Sequence, residues 1–314
     1  MSSVPASQPV AARTSSRVWV GWAIALTAST FFSVATPVSR GALTAGIGAT
    51  ELLVARMALA TLFMGLTIGI MNPRLLRTDK RCFWISIGCG TLNGTGMLIY
   101  VWGLERLTAS MTAMLIALSP VYVLSLLALR GERVTYRHVV RLILALLGVY
   151  LLIGPGGTVD PIGVMWSLIS MVCFALQLTM LQWYLMDYDA RPVTLYMLLA
   201  MTATTLVMFA LEGGMWQPLG VRGWWAALVL AVASTYAARL LVFAAVSRIG
   251  GGQMAMLSPV ETLMSVIWSF IFLGERLSPV QWIGGAFILT SAVLAIQRLS
   301  IARLRPRWRL WAKS

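Results

Sequence analysis

Ten apolar runs, most of them about 20 residues long, divide the chain at roughly 18–39, 50–70, 83–103, 109–129, 138–154, 161–184, 192–211, 223–246, 252–273 and 279–298. A helix of that length matches the hydrocarbon thickness of a bilayer. In lipid each run must satisfy its own backbone hydrogen bonds, which a helix does. The expected fold is therefore an all-α integral membrane protein with ten transmembrane helices. Composition agrees, with 59% hydrophobic residues, 11% charged residues and a mean hydropathy of +0.84, values foreign to soluble domains. Cys82, Cys89 and Cys173 lie in or beside apolar runs. Their odd number and lack of metal spacing point to small core residues and not to a disulfide or zinc framework.

The net charge of +14 raises the possibility of a nucleic-acid partner, but the basic residues form no single patch. They cluster instead in short connections, "NPRLLRTDKR" at 72–81 and "RGERVTYRHVVR" at 130–141, and in the tail "RLSIARLRPRWRLWAK" at 298–313. Of the 24 Lys and Arg, Arg40, Arg106, Arg222 and Arg276 fall in connections on the opposite side, and Arg56 and Arg239 lie inside runs. The positive-inside rule then places both termini in the cytoplasm of a multi-pass protein of the cell (inner or plasma) membrane. No nucleic acid is needed to explain the charge. Residues 1–16 lack an apolar core and read as a disordered tail, not a secretory signal. Residues 299–314 read as a basic cytoplasmic tail, with Trp308 and Trp311 suited to an anionic interface.

The chain also repeats itself. Leu118-Ser119-Pro120-Val121 recurs as Leu257-Ser258-Pro259-Val260, and Gly131-Glu132-Arg133 recurs as Gly274-Glu275-Arg276. These pairs align the fourth run with the ninth and the fifth with the tenth. Ser29, Ser33, Thr36 and Arg40 share their spacing with Trp166, Ser170, Cys173 and Gln177. The repeats are assigned to residues 17–154 and 155–298. Because each holds five runs, the second enters the membrane upside down, and the basic loops of the first half face sparsely charged counterparts in the second. Such inverted repeats mark transporters that bind substrate near the midplane.

These features resemble the EamA-type branch of the drug/metabolite transporter superfamily over about residues 18–298. The carriers of the resemblance are the paired Pro-Val motifs, the two Gly-Glu-Arg motifs, Arg56 and "QWIGGAFIL" at 281–289. Where that family has two glycines in the last helix of each repeat, this chain has Gly284 and Ser291 in one and Arg141 and Gly148 in the other. The resemblance implies a secondary carrier, often an exporter, with a central cavity lined by spans 1, 3, 4, 6, 8 and 9.

Inside the apolar runs, polar residues are the candidates for chemistry. Glu261 lies about nine residues into the ninth run, where an acidic residue at mid-membrane costs roughly 2.5–3.5 kcal/mol. It needs a proton, a partner or a wet cavity. Ser258, Glu261, Ser265 and Trp268 recur at helical spacing, and Pro120 and Pro259 are expected to break their helices. Two readings of Glu261 stand: a proton or substrate-amine site, or a structural acid. Arg56 sits shallow enough to snorkel as an anchor, and Arg239, sharing a face with Tyr236 and Phe243, either meets a substrate carboxylate or reaches the interface. Asn93, Met97 and Tyr100 share one face, as do Ser170 and Gln177, and both sets serve either solute binding or helix packing. Gly65 and Gly69, and Gly90 and Gly94, have the spacing of close helix contacts. Most tryptophans suit interfacial belts, which leaves Trp166 and a few methionines as possible lining residues. Glu and Arg of the Gly-Glu-Arg turns read as caps.

The sequence contains neither a Walker A motif nor H-E-x-x-H nor G-x-S-x-G, and its one histidine, His138, stands among arginines. ATP-driven pumping by this chain and enzymatic catalysis are thus disfavoured, and no cofactor or metal is implied. The leading expectation is a secondary transporter of small metabolites such as amino acids or related zwitterions, coupled to protons through Glu261 or working by exchange. An organic-cation or multidrug efflux carrier is the alternative. A channel or a non-transporting membrane partner ranks below both.

Overall fold

The computed structural model describes residues 10–71, 73, 78–118, 121–122, 136–153, 159–185, 188–213, 216–249 and 257–301. Pro120 and the first Gly-Glu-Arg motif lie outside them. The described chain is helical: α1 (Val10–Ser33), α2 (Ala35–Thr44), α3 (Ala49–Met71), α4 (Lys80–Arg106), α5 (Ala109–Ile116), α6 (Tyr136–Ile153), α7 (Pro161–Tyr184), α8 (Ala190–Leu211), α9 (Gly220–Val229), a π-helical segment (Leu230–Ala237), α10 (Ala238–Ile249), α11 (Ser258–Leu273) and α12 (Pro279–Ile301). Among the described residues, six continuous stretches are long and apolar enough to cross a membrane: Trp19–Thr44, Ala49–Ile70, Lys80–Arg106, Pro161–Leu181, Ala190–Leu211 and Gly220–Val242. Ile143–Leu152 and Ser258–Leu273 are shorter apolar helices.

Two boundaries differ from the expectation. α1 begins at Val10, so residues 10–16, assigned to a disordered tail on composition, continue the first membrane helix outward. Pro259 stands at the start of a described helix, and residues 250–256 before it lie outside the described residues. It occupies the first turn of α11, where a missing N–H leaves no intrahelical bond unmade. Pro37 falls inside the Trp19–Thr44 stretch. It has no N–H to offer the carbonyl of Ser33, and the chain turns at Val34 between α1 and α2.

Helices pack where side chains are small. A Cβ placed on Gly90 would press on the Met197 carbonyl, and one on Gly94 would crowd Met201 and Thr204. The contacts advance together along both chains, so α4 and α8 run parallel. Gly96 faces Cys173 and Phe174 while Gly103 faces Gly163 and Ser167, the reverse order, so α4 and α7 run antiparallel. Thr61 and Thr202 share a 2.9 Å hydrogen bond, and Gly65 sits against Leu195, which makes α3 and α8 antiparallel. Gly148 of α6 and Gly284 of α12 meet backbone to backbone, each leaving no room for a Cβ on the other. The one glycine of the family pair that each helix retains is thus enough to seat α6 on α12. Gly65 and Gly69 are corrected: Gly65 makes only an ordinary contact, and nothing lies within 4 Å of a Cβ on Gly69.

One end of the bundle is tied by polar contacts. Arg40 Nη1 donates to the carbonyls of Leu104 and Glu105 at the C-terminus of α4, both at 2.8 Å. Gly274 adopts the left-handed conformation after α11 (φ 65°), which turns Glu275 toward α5. There its carboxylate accepts from the N–H groups of Ala109 and Ser110 and from the Ser110 hydroxyl, all at 2.9 Å. The second Gly-Glu-Arg motif is therefore a cap, but of a neighbouring helix. Arg106 pairs with Asp160 at 2.8 Å. That hydrogen bond, joined by one from the Ile162 N–H, holds the Asp160 carboxyl below its ordinary range. Exposed Trp19, Trp84, Trp224, Trp225 and Trp282 fit interfacial positions.

The close contacts separate glycines that share a sequence spacing. Gly90→Ala is expected to destabilise the protein by about 1–3 kcal/mol through overpacking. Gly69→Ala is expected to be neutral or stabilising by up to about 1 kcal/mol through helix propensity. Thermal unfolding of the two variants in the same detergent checks the contrast.

Candidate functional site

At the centre of the helices lies a cavity of about 280 Å³, lined by Phe32, Ala35, Thr36, Arg56, Met57, Asn93, Met97, Tyr100, Ile116, Phe174, Met201, Ser234, Thr235, Arg239 and Glu261. Beside it an annex of about 20 Å³, bounded by Ser33, Ala113, Thr262 and Ser265, shares the Phe32, Thr36, Ile116 and Glu261 walls. A larger groove of about 670 Å³ between Leu59 and the start of α9 is open and has no charged side chain in its walls. It offers no charged group to orient a zwitterionic solute.

The Arg56 corner follows from local structure. Ser234 and Thr235 lie in the π-helical segment, and both hydroxyls donate to the Leu230 carbonyl, at 2.7 and 3.0 Å. Each oxygen is left free to accept. Arg56 Nε donates to Thr235 Oγ1 at 3.0 Å and its Nη2 to Ser234 Oγ at 3.2 Å. With the wider turn, two adjacent hydroxyls address one guanidinium, in keeping with the association of π-bulges with functional sites. Arg56 is only 6% exposed. The expectation that it snorkels to the interface is corrected: its carbon stem is enclosed by helices, and the π-segment hydroxyls hold its head inside.

Arg239 lies one turn further on and faces the same cavity. Its Nε is shut off from solvent and has no hydrogen-bond partner. Glu261, in the first turn of α11, stands where a helix N-terminus favours negative charge. Among the described residues no hydrogen bond reaches its carboxylate, and the only ion pair is Arg106–Asp160. Two charged side chains of opposite sign thus face one small volume without pairing to each other.

The remaining candidates divide. Tyr100 lines the cavity and donates its hydroxyl to Thr36 Oγ1 at 3.0 Å. Asn93 lines it too and donates Nδ2 to Gln177 Oε1 at 2.9 Å. Gln177 stands behind the wall as the partner of Asn93. Ser265 lines the annex with a buried, unpartnered Oγ. Ser258 lies outside both volumes. Tyr236 shares a 2.7 Å hydrogen bond with Thr67 and packs on Phe63, away from the cavity. Ser170 is turned to its own backbone, donating to the Ser167 carbonyl at 2.7 Å. Trp166 packs edge-on against Trp102, with ring centroids 5.8 Å apart, and is corrected as a lining residue. Trp268 instead donates to Ser33 Oγ at 3.0 Å beside the annex. The expected lining by spans 1, 3, 4, 6, 8 and 9 is extended by Arg56 and Met57 of α3 and by Met201 of α8. Ser234 and Thr235 were missed as site residues, although adjacent hydroxyls in an apolar run are a visible signal.

Residues 19–154 and 161–297 each match the EamA-like transporter family. The chain belongs to that family. It is therefore a multi-pass membrane transporter, carrying two copies of the family's domain. An "Uncharacterized transporter" of Archaeoglobus fulgidus is 26% identical, over 76% of this chain and 86% of that protein. A "Probable terminal-alkyne amino-acid exporter" of Streptantibioticus cattleyicolor is 28% identical, over 90% of this chain and 95% of that protein. A solved crystal structure superimposes with a TM-score of 0.60 at 21% identity, covering 91% of this chain and 99% of that one, a likeness of fold.

The hydroxyl pairing yields a contrast in stability. Thr235→Val removes an acceptor from a buried guanidinium and is expected to cost about 1–3 kcal/mol. Ser265→Ala removes an unpartnered hydroxyl and is expected to be neutral or stabilising. Thermal unfolding in detergent compares them.

Proposed function

We propose that this EamA-family transporter is a secondary carrier that exports small zwitterionic metabolites, amino acids foremost, by alternating access. The observation that carries the reading is the pair of unpartnered opposite charges, Arg239 and Glu261, facing one cavity. A substrate carboxylate meets the guanidinium, and a substrate amine meets the carboxylate. Both desolvation costs are then offset by charge-assisted hydrogen bonds. The volume of about 280 Å³ stands at the small end of ligand pockets, which run to about 1,000 Å³, and suits a small solute. Two guanidinium groups against one carboxylate also repel an organic cation, so the multidrug alternative is the weaker reading. The name of the Streptantibioticus relative points the same way.

The architecture of this proposal is ten spans in two five-helix halves of opposite orientation, residues 17–154 and 155–298. The antiparallel course of α3 and α8, the second spans of their halves, supports it. The charge bias of the loops supports cytoplasmic termini in the cell membrane. Rigid-body rocking of helix groups, each drawn from both halves, exposes the central cavity to each side in turn. Glu261 serves as the titratable coupling group: it holds a proton when the site is empty on one side and the substrate amine when it is filled.

Purified protein in liposomes, offered amino acids and organic cations with and without a pH gradient, tests the proposal. Wild type is expected to accumulate zwitterions when the gradient is applied. Glu261→Gln is expected to lose gradient-driven transport while retaining exchange. Arg239→Gln is expected to lose at least about 10-fold in zwitterion transport, as for a site built to hydrogen-bond a missing group. Equal behaviour of wild type and Glu261→Gln removes Glu261 from coupling, and undiminished zwitterion transport by Arg239→Gln removes the carboxylate contact.

A further inference from the structure

We infer that the substrate carries a second anionic group, received by Arg56, so that acidic amino acids are preferred over neutral ones of the same size. This inference rests on the zwitterion reading of the same cavity and adds the chemistry of the substrate side chain. It follows from accounting for the polar groups that face the cavity.

A guanidinium offers five N–H donors. Arg56 uses Nε toward Thr235 and one Nη2 hydrogen toward Ser234, which leaves three donors uncommitted. Neither hydroxyl brings a negative charge, and among the described residues no carboxylate pairs with Arg56. Among the described residues, Glu261 is the one acidic residue lining the cavity, against Arg56 and Arg239. When Glu261 is ionised, these three side chains leave one uncompensated positive charge at the site. A neutral zwitterion satisfies Arg239 and Glu261 and leaves that charge in place. A basic amino acid raises it. A substrate with two carboxylates and one amine brings the site to neutrality and gives every guanidinium an acceptor.

Geometry assigns the second carboxylate to Arg56. Ser234 and Thr235, which line the cavity beside it, fix the guanidinium through Nε and Nη2, so its uncommitted donors are offered without further loss of side-chain freedom. Planar, bidentate reception of a carboxylate suits arginine. Asn93, its Nδ2 committed to Gln177, offers its carbonyl oxygen to the substrate amine or another donor. Met57, Met97 and Phe174 fill the wall between polar groups and suit a short methylene chain.

The test uses the full-length protein in liposomes preloaded with L-glutamate, L-glutamine, L-leucine or L-lysine, read by counterflow of the labelled amino acid. Glutamate and glutamine are nearly isosteric, so their ratio reports the second charge alone. Glutamate is expected to exceed glutamine by at least about 10-fold, with lysine the poorest. Arg56→Gln is expected to bring the ratio below about twofold while glutamine counterflow persists, and Arg56→Lys to keep part of the preference. If Arg56→Gln does not purify as a monodisperse protein, the wild-type ratio and Arg56→Lys decide the matter. Glutamine or leucine carried as well as glutamate overturns the second-anion inference and leaves the zwitterion reading standing. Failure of all four amino acids overturns the zwitterion reading together with this one. A glutamate preference unchanged in Arg56→Gln overturns the assignment to Arg56.

Discussion

A charged side chain inside a membrane protein must be answered by something, because lipid supplies neither water nor counter-ions. In this transporter the answer differs among three such groups. Arg56 is answered by its own protein, through two hydroxyls that a π-helical segment turns toward it. Arg239 and Glu261 are not answered by any described residue. A helical irregularity satisfies one arginine, while two opposite charges facing a common void stay unpaired among the described residues, which is what the proposed solute site requires. The site is defined by what the fold leaves incomplete.

The rest of the bundle can be understood as the means of holding that void open without losing cohesion. In a membrane, helices gain little from apolar burial and associate through close packing of small residues. Here α4 is the axis of that packing. Gly90 and Gly94 admit α8 on one side, and Gly96 and Gly103 admit α7 on another. Its remaining face presents Asn93, Met97 and Tyr100 to the cavity. Close approach on two sides fixes the third. A similar economy joins α6 to α12, where two glycines suffice for a backbone contact.

Much of this was legible in the sequence. The apolar runs, the duplicated motifs and the family followed from residue order, and Glu261, Arg239, Asn93 and Tyr100 were identified because polar groups in apolar runs have few reasons to be there. What escaped depended on backbone irregularity. Nothing in "LAVASTYA" announces a π-turn, so the sequence alone points to a snorkelling Arg56 and does not join it to Ser234 and Thr235. Pro37 and Pro259 look alike as letters. Only the structure shows that the first lies inside a continuous span, just after the junction of α1 and α2, while the second stands in the first turn of α11. Gly69 and Gly90 likewise share a spacing, and only the neighbouring helix distinguishes them. Side-chain chemistry is local in sequence, but the partner it meets is not.

The ties at one end of the bundle bear on how such a site is emptied. Arg40 grips the last carbonyls of α4, Glu275 caps α5 from the turn after α11, and Trp268 bonds Ser33 beside the annex. Each contact joins elements from opposite halves or distant positions of the chain, and each is a directional hydrogen bond rather than a packed apolar surface. Such contacts break and re-form as units, since a hydrogen bond stretched by a few tenths of an ångström is soon exchanged for one to water. Packed glycine interfaces such as those of α4 with α7 and α8 cannot slide in that way without opening voids. Under the proposed alternating access, the polar ties are the contacts expected to part, and the glycine contacts, which join α4 of the first half to α7 and α8 of the second, hold together bodies expected to move intact. Alternating access in this chain is expected to run through the former while leaving the latter closed.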